Sequence, residues 1–178
     1  MKRGRPAPAS GLLWQIDALA RAILPGGLTA VLLVLAAAPV GVPGLVPAAA
    51  LPCVFFWSVF RPAALPPPAV FGLGLLQDLL TAAPLGIGVL VLLVVHGLAA
   101  RWRRFLVTQS FLLVWLAFCG FTAGAAAMGG ALQALLAWHV LPVQPGFWQA
   151  LITAGLYPAL AWLLTQAHES MMRAEAAP

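Results

Sequence analysis

Charge is what this sequence has least of. Nine Lys/Arg and four Asp/Glu make up 7% of its 178 residues, against 63% hydrophobic residues and a mean hydropathy of +1.01. A soluble domain carries roughly a quarter charged residues because its surface faces water. So few charges cannot clothe such a surface, which leaves lipid as the solvent for most of the chain. Backbone groups in hydrocarbon must be satisfied internally, so the choice lies between helices and a closed barrel. Barrel strands alternate apolar and polar residues over roughly ten positions. Here the apolar runs are long and unbroken, which predicts an all-α integral membrane protein. The sequence pI near 10.7 does not argue for nucleic acid. The basic residues lie between apolar runs with no aromatic-interleaved basic patch, as expected of charges that orient membrane spans.

Catalytic and metal-binding residue types are equally sparse. The two cysteines, Cys53 and Cys119, fall inside apolar runs without CxxC or Cys/His spacing and read as small buried hydrophobes. His96 reads as an interfacial or interhelical hydrogen-bonder, and His139 beside Trp138 as an outer-interface pair. Neither has a second ligand at i+3 or i+4, so no metal site is expected. No Ser/His/Asp or Cys/His set, phosphate loop or pair of carboxylates is present. The expectation is a protein without catalytic residues or cofactor.

Along the chain, residues 1–10 are basic and Pro/Ala-rich. In 11–21, Leu12, Leu13, Ile16, Leu19 and Ala20 recur at helical spacing, with Asp17 and Arg21 off that stripe and Trp14 as an anchor. That pattern fits an amphipathic helix lying on the membrane, or an N-terminal extension of the first span. Residues 1–21 therefore form a cytoplasmic basic tail with a possible interfacial helix, 22–168 a polytopic membrane domain, and 169–178 a cytoplasmic tail. The spans fall at about 22–40, 45–60, 67–82, 85–100, 105–125 and 147–167. The first is longer than the roughly 7–15-residue core of a signal peptide and is read as uncleaved, despite Ala36-Ala37-Ala38. Pro43, Pro47 and Pro52 kink or delay the second, and Pro66-Pro67-Pro68 lead into the third. With both termini cytoplasmic, Lys2, Arg3, Arg5, Arg21, Arg61, Arg101, Arg103, Arg104 and Arg173 all fall on one side. The long run 105–141 allows two readings: two spans meeting near Gly129-Gly130, or one span followed by an outer-face segment over 126–141.

Residues 61–88 concentrate the most physical content, with a core of the form F-G-x-G-L-L-x-D-L-L-x-x-x-P-L-G. Gly72 and Gly74 thin a helix for close approach. Asp78 is the only carboxylate between Asp17 and Glu169, and a charged residue in a span is costly. It reads as an acceptor for hairpin amides or a neighbouring helix, as a partner contact, or as a proton or ion site. Pro84 suits the first turn of the following helix, and Gly86 and Gly88 again permit close contact. Farther on, Thr108, Gln109 and Ser110 enter the fifth span as a polar cluster. Gly120 and Gly124 form a GxxxG match continued by Ala125–Ala127 and Gly129-Gly130, read as packing within the bundle or as an oligomer or partner interface.

This stretch and its setting resemble the MreD family, small membrane components of the bacterial cell-elongation machinery. The likeness takes in the basic N-terminus, the Pro-rich second span, the Arg61-Pro62 exit and the Gly-Asp-Pro-Leu-Gly hairpin. It extends to the basic exit after the fourth span and the late helix from Phe147-Trp148 to Tyr157-Pro158. The sequence departs from the pattern in the near absence of polar residues over 111–141. The resemblance implies a six-helix transmembrane bundle similar to the substrate-binding subunits of energy-coupling-factor transporters, with 126–141 on the outer face. It implies a non-enzymatic role in the bacterial inner membrane. There the protein would bind MreC, link the actin-like MreB to the wall-building transglycosylase/transpeptidase pair, and maintain rod shape and lateral peptidoglycan synthesis. Structural or interaction candidates are Arg61, Gly72, Gly74, Asp78, Pro84, Gly86, Gly120, Gly124, Trp148 and Pro158. The rival is a vitamin-like carrier of the energy-coupling-factor type. Its pocket needs convergent polar groups, and Thr122, Thr153 and the Tyr157 hydroxyl are the main ones on offer.

Overall fold

A computed structural model of the chain describes residues 11–37, 45–81, 84–137 and 144–176. The expectations placed on residues 1–10, Pro43, Trp138 and His139, and on the side chains of 11–21, lie outside the described residues. Six α-helices run in order: α1 Gly11–Ala36, α2 Leu45–Phe60, α3 Pro67–Thr81, α4 Ile87–Leu106, α5 Phe111–Ala137 and α6 Gln144–Ala176. A short 3-10 turn, Pro62–Ala64, separates α2 from α3, and no strand occurs among the described residues. The proline run sets the start of α3. Pro67 is its first residue, where a missing N–H costs nothing and the fixed φ already suits a helix.

Helix α2 is the axis of the fold. From Val46 to Val59 all but Pro47 are buried. A helix apolar all round belongs in a core or in lipid, and this one is enclosed by other helices. It touches α1, α3, α4, α5 and α6, and these contact one another in the order α1–α3–α4–α5–α6 around it. Aromatic rings pack between α2, α5 and α6. Phe55 of α2 lies 5.2 Å from Phe118, 5.1 Å from Phe121 and 6.0 Å from Tyr157, centroid to centroid. Phe118 and Tyr157 stack at 4.2 Å. Each such pair adds about 0.5–1.5 kcal/mol beyond the area it buries.

The outer surface is apolar as well. Phe71, Leu75 and Leu79 form an exposed stripe on α3, and Leu90, Val94 and Leu98 another on α4. Leu112, Leu113 and Leu116 on α5 and Leu151, Ile152, Trp162 and Leu163 on α6 extend it. Continuous apolar surface on this scale marks a membrane or partner face in place of water. Two helical stretches, Phe111–Leu136 and Gln144–Ala167, are long and apolar enough to cross a membrane.

Several boundaries differ from the sequence reading. Residues 11–36 form one helix, so the stretch 11–21 extends α1. Helix α4 does not stop at residue 100 but carries Arg101, Arg103 and Arg104 and ends at Leu106. Helix α5 starts at Phe111 rather than 105 and passes through Gly129-Gly130 unbroken to Ala137. The break that would have made two spans of 105–141 is absent, and residues 126–137 continue the fifth helix instead of forming a separate outer segment.

Candidate functional site

The α3–α4 hairpin is organised by Asp78. Its carboxylate is 1% exposed and accepts the Gly86 N–H on Oδ2 at 2.7 Å and the Gly88 N–H on Oδ1 at 2.9 Å. Gly86 is the N-cap of α4 and Gly88 the second residue of its first turn. A side chain from one helix thus caps the next, satisfying two amides that helix geometry leaves open and facing the positive end of the helix dipole. The turn requires glycine at 86, whose φ is +103°. Pro84 stands before α4, its carbonyl accepting the Ile87 N–H at 3.4 Å. It therefore opens the turn and does not sit in the helix's first turn, as the sequence had suggested.

Two glycines make this cap possible, each from a different helix. A Cβ at Gly88 would collide with Asp78 Oδ1, and one at Gly74 would lie 2.5 Å from the Val89 Cα. Gly72 does not share this role: it is exposed, with nothing within 4 Å of where its Cβ would stand. Thr81 closes the end of α3 by donating its hydroxyl hydrogen to the Gln77 carbonyl at 2.8 Å.

A second polar contact joins α2 to α4. Ser58 Oγ lies 2.7 Å from His96 Nδ1 and 2.6 Å from the Val54 carbonyl oxygen. With the hydroxyl donating to Val54, the imidazole Nδ1–H donates to Ser58 and both groups are satisfied. His96 is the interhelical hydrogen-bonder foreseen from the sequence; Ser58 was missed. The signal was present, since Ser58 is the only hydroxyl-bearing residue in α2. A nucleophilic Ser–His pair needs an accessible hydroxyl, and Ser58 is 0% exposed. The geometry is that of a core hydrogen bond.

Four helix threonines turn inward on their own helices. Thr29, Thr122, Thr153 and Thr165 donate to the carbonyls of Pro25, Phe118, Gln149 and Ala161 at 2.7–2.9 Å. This is how an apolar helix carries a hydroxyl without exposing it. Thr122 and Thr153 therefore do not converge on a ligand cavity, and Tyr157 belongs to the aromatic core. Helices α5 and α6 are also tied by the Trp115 indole N–H, which donates to the Ala154 carbonyl at 3.0 Å. Trp57 Nε1 and Gln77 Oε1 are buried without a hydrogen-bond partner among the described residues.

The other sequence candidates occupy the surface and the helix ends. Gly120, Ala123, Gly124, Ala127, Gly130 and Ala131 share one exposed face of α5. Nothing lies within 4 Å of a Cβ at Gly120, Gly124 or Gly130, so these glycines do not serve packing within the bundle. Trp148 is exposed, with its ring edge-on to Phe147 at 6.2 Å. Pro158 is half-buried inside α6. Arg61 is half-buried at the head of the 3-10 turn. Among the described residues no group of three or more His, Cys, Asp or Glu could hold a metal ion. No family model, curated protein or solved structure matches this chain.

Proposed function

We propose that the chain is an MreD-like, non-enzymatic scaffold of the bacterial inner membrane, crossing it six times with both termini cytoplasmic. The observation that carries the reading is the distribution of polarity. Apolar side chains form both the core and the outer faces of α3 to α6, while Asp78, Ser58, His96 and the threonines are occupied by contacts inside the bundle. What such a molecule offers its surroundings is helix surface. Helices α2 and α3, with 16 and 15 residues, fall short of the roughly 20 needed to cross 30 Å of hydrocarbon. Enclosure of α2 by five neighbours eases that demand, because its ends meet protein before they meet lipid.

In this reading the protein binds MreC and through it connects the actin-like MreB with the transglycosylase/transpeptidase pair. The single span of MreC would pack on the glycine-thinned face of α5 and on Phe147 and Trp148 at the outer end of α6. Small residues let helix backbones approach closely, where dispersion and weak hydrogen bonds hold them in lipid. The mainly aromatic and aliphatic side chains between α2, α5 and α6 favour this scaffold over a vitamin-like carrier, whose pocket would need convergent polar groups there. Depletion in the parent bacterium tests the reading: rod-shaped cells should become round. Cells that keep their shape but lose uptake of a vitamin-like nutrient would replace the scaffold with the carrier.

A further inference from the structure

A cleft of about 550 Å³ opens where α2, the α4–α5 connection and α6 meet. Its walls grade in polarity along its length. Gln109, Thr165 and Phe60 lie at the helix-end rim, and Phe56, Val114 and Tyr157 line the inner part. From Thr165 to Tyr157 along α6 is about 12 Å at 1.5 Å per residue. Two further wall residues, Phe111 and Trp162, are 58% and 67% exposed, so the cleft also opens sideways onto the apolar outer surface. One cation stands beside the rim: the Arg103 Nε–H donates to the Val59 carbonyl at 3.3 Å, next to the lining residue Phe60.

We infer that this cleft seats one acyl chain of an anionic phospholipid, with the headgroup phosphate beside Arg103 at the rim. The inference rests on the membrane reading above, which puts Arg103 at the cytoplasmic headgroup level. An apolar slot open to lipid along its side and basic at its end matches the two parts of a phospholipid in order. A soluble ligand would have no use for the lateral opening, whereas a zwitterionic lipid would gain less from the cation. Basic pockets between helices at the cytoplasmic face are a recurring way to hold anionic headgroups.

The test uses the full chain reconstituted in vesicles containing phosphatidylglycerol with a photoreactive diazirine in one acyl chain, or phosphatidylcholine carrying the same chain. After irradiation, labelled peptides are mapped by mass spectrometry. Label should concentrate on 106–114 and 157–165, several-fold more with phosphatidylglycerol. Ala161→Phe, which fills the wall, should lower that label several-fold, and Arg103→Gln should abolish the headgroup preference. Thr165→Trp blocks the rim from an exposed position and gives the same answer should Ala161→Phe fail to fold. Label spread evenly over the outer faces, or unchanged by Thr165→Trp, overturns the inference while leaving the membrane reading intact. Release of the chain from native membranes by alkaline carbonate would remove the membrane reading itself.

Discussion

Asp78 accepts two backbone N–H groups, one on each carboxylate oxygen, and that geometry dictates how substitutions should behave. Asparagine keeps one acceptor but turns an NH2 toward the other amide. Asp78→Asn should therefore lose one charge-assisted bond, about 1.5–3 kcal/mol, and Asp78→Leu should lose both and fare worse. Thermal unfolding in detergent should rank Asp above Asn above Leu; equal failure of Asn and Leu would show that charge at the head of α4 matters more than acceptor count. The glycines separate by mechanism. Gly88→Ala displaces the carboxylate and should cost more than Gly86→Ala, where the positive φ alone is worth about 1 kcal/mol. Gly72→Ala, on an exposed helix face, should be neutral or stabilise by up to about 1 kcal/mol through helix propensity. A common loss for all three would contradict this division. Asp78 could be singled out from sequence because an isolated acid in an apolar run has few inexpensive roles. The Ser58–His96 contact could not, because pairing them requires knowing that α2 and α4 are neighbours.

Helices α2 and α3 were legible from apolar runs bounded by proline, and their limits match the expected spans to within a residue. The later limits were missed for physical reasons. Arg101, Arg103 and Arg104 looked like the end of the fourth span, yet arginine is a good helix former and its stem lies comfortably along apolar surface. The helix therefore continues to Leu106. Gly129-Gly130 looked like a break, but each glycine costs only about 1 kcal/mol in a helix, and glycine is frequent in membrane helices. A continuous α5 leaves six helices among the described residues, which the proposed reading distributes across the membrane. Reporter fusions active only in the periplasm should be silent after Arg104 and after Pro178 and active near Pro145. Periplasmic activity at Pro178 would contradict the six-span arrangement.

At the scale of the molecule, the proposed function and the stability of the fold draw on different surfaces. The core is held by α2, by the aromatic rings around Phe55 and by the Asp78 cap, while the outward face of α5 contributes nothing to packing. A double change Gly120→Leu and Gly124→Leu should leave detergent-extracted protein monodisperse with an unchanged unfolding temperature, because no neighbour stands within 4 Å of either site. It should nevertheless remove a helix-docking surface. As proposed, this chain is a scaffold that holds MreC. The most direct measurement is capture of the tagged chain from solubilised membranes of its own bacterium, with MreC quantified in the eluate. MreC should elute in near-stoichiometric amount with the native chain and be largely lost with the Gly120/Gly124 double variant. A well-folded native chain that elutes without MreC would contradict it.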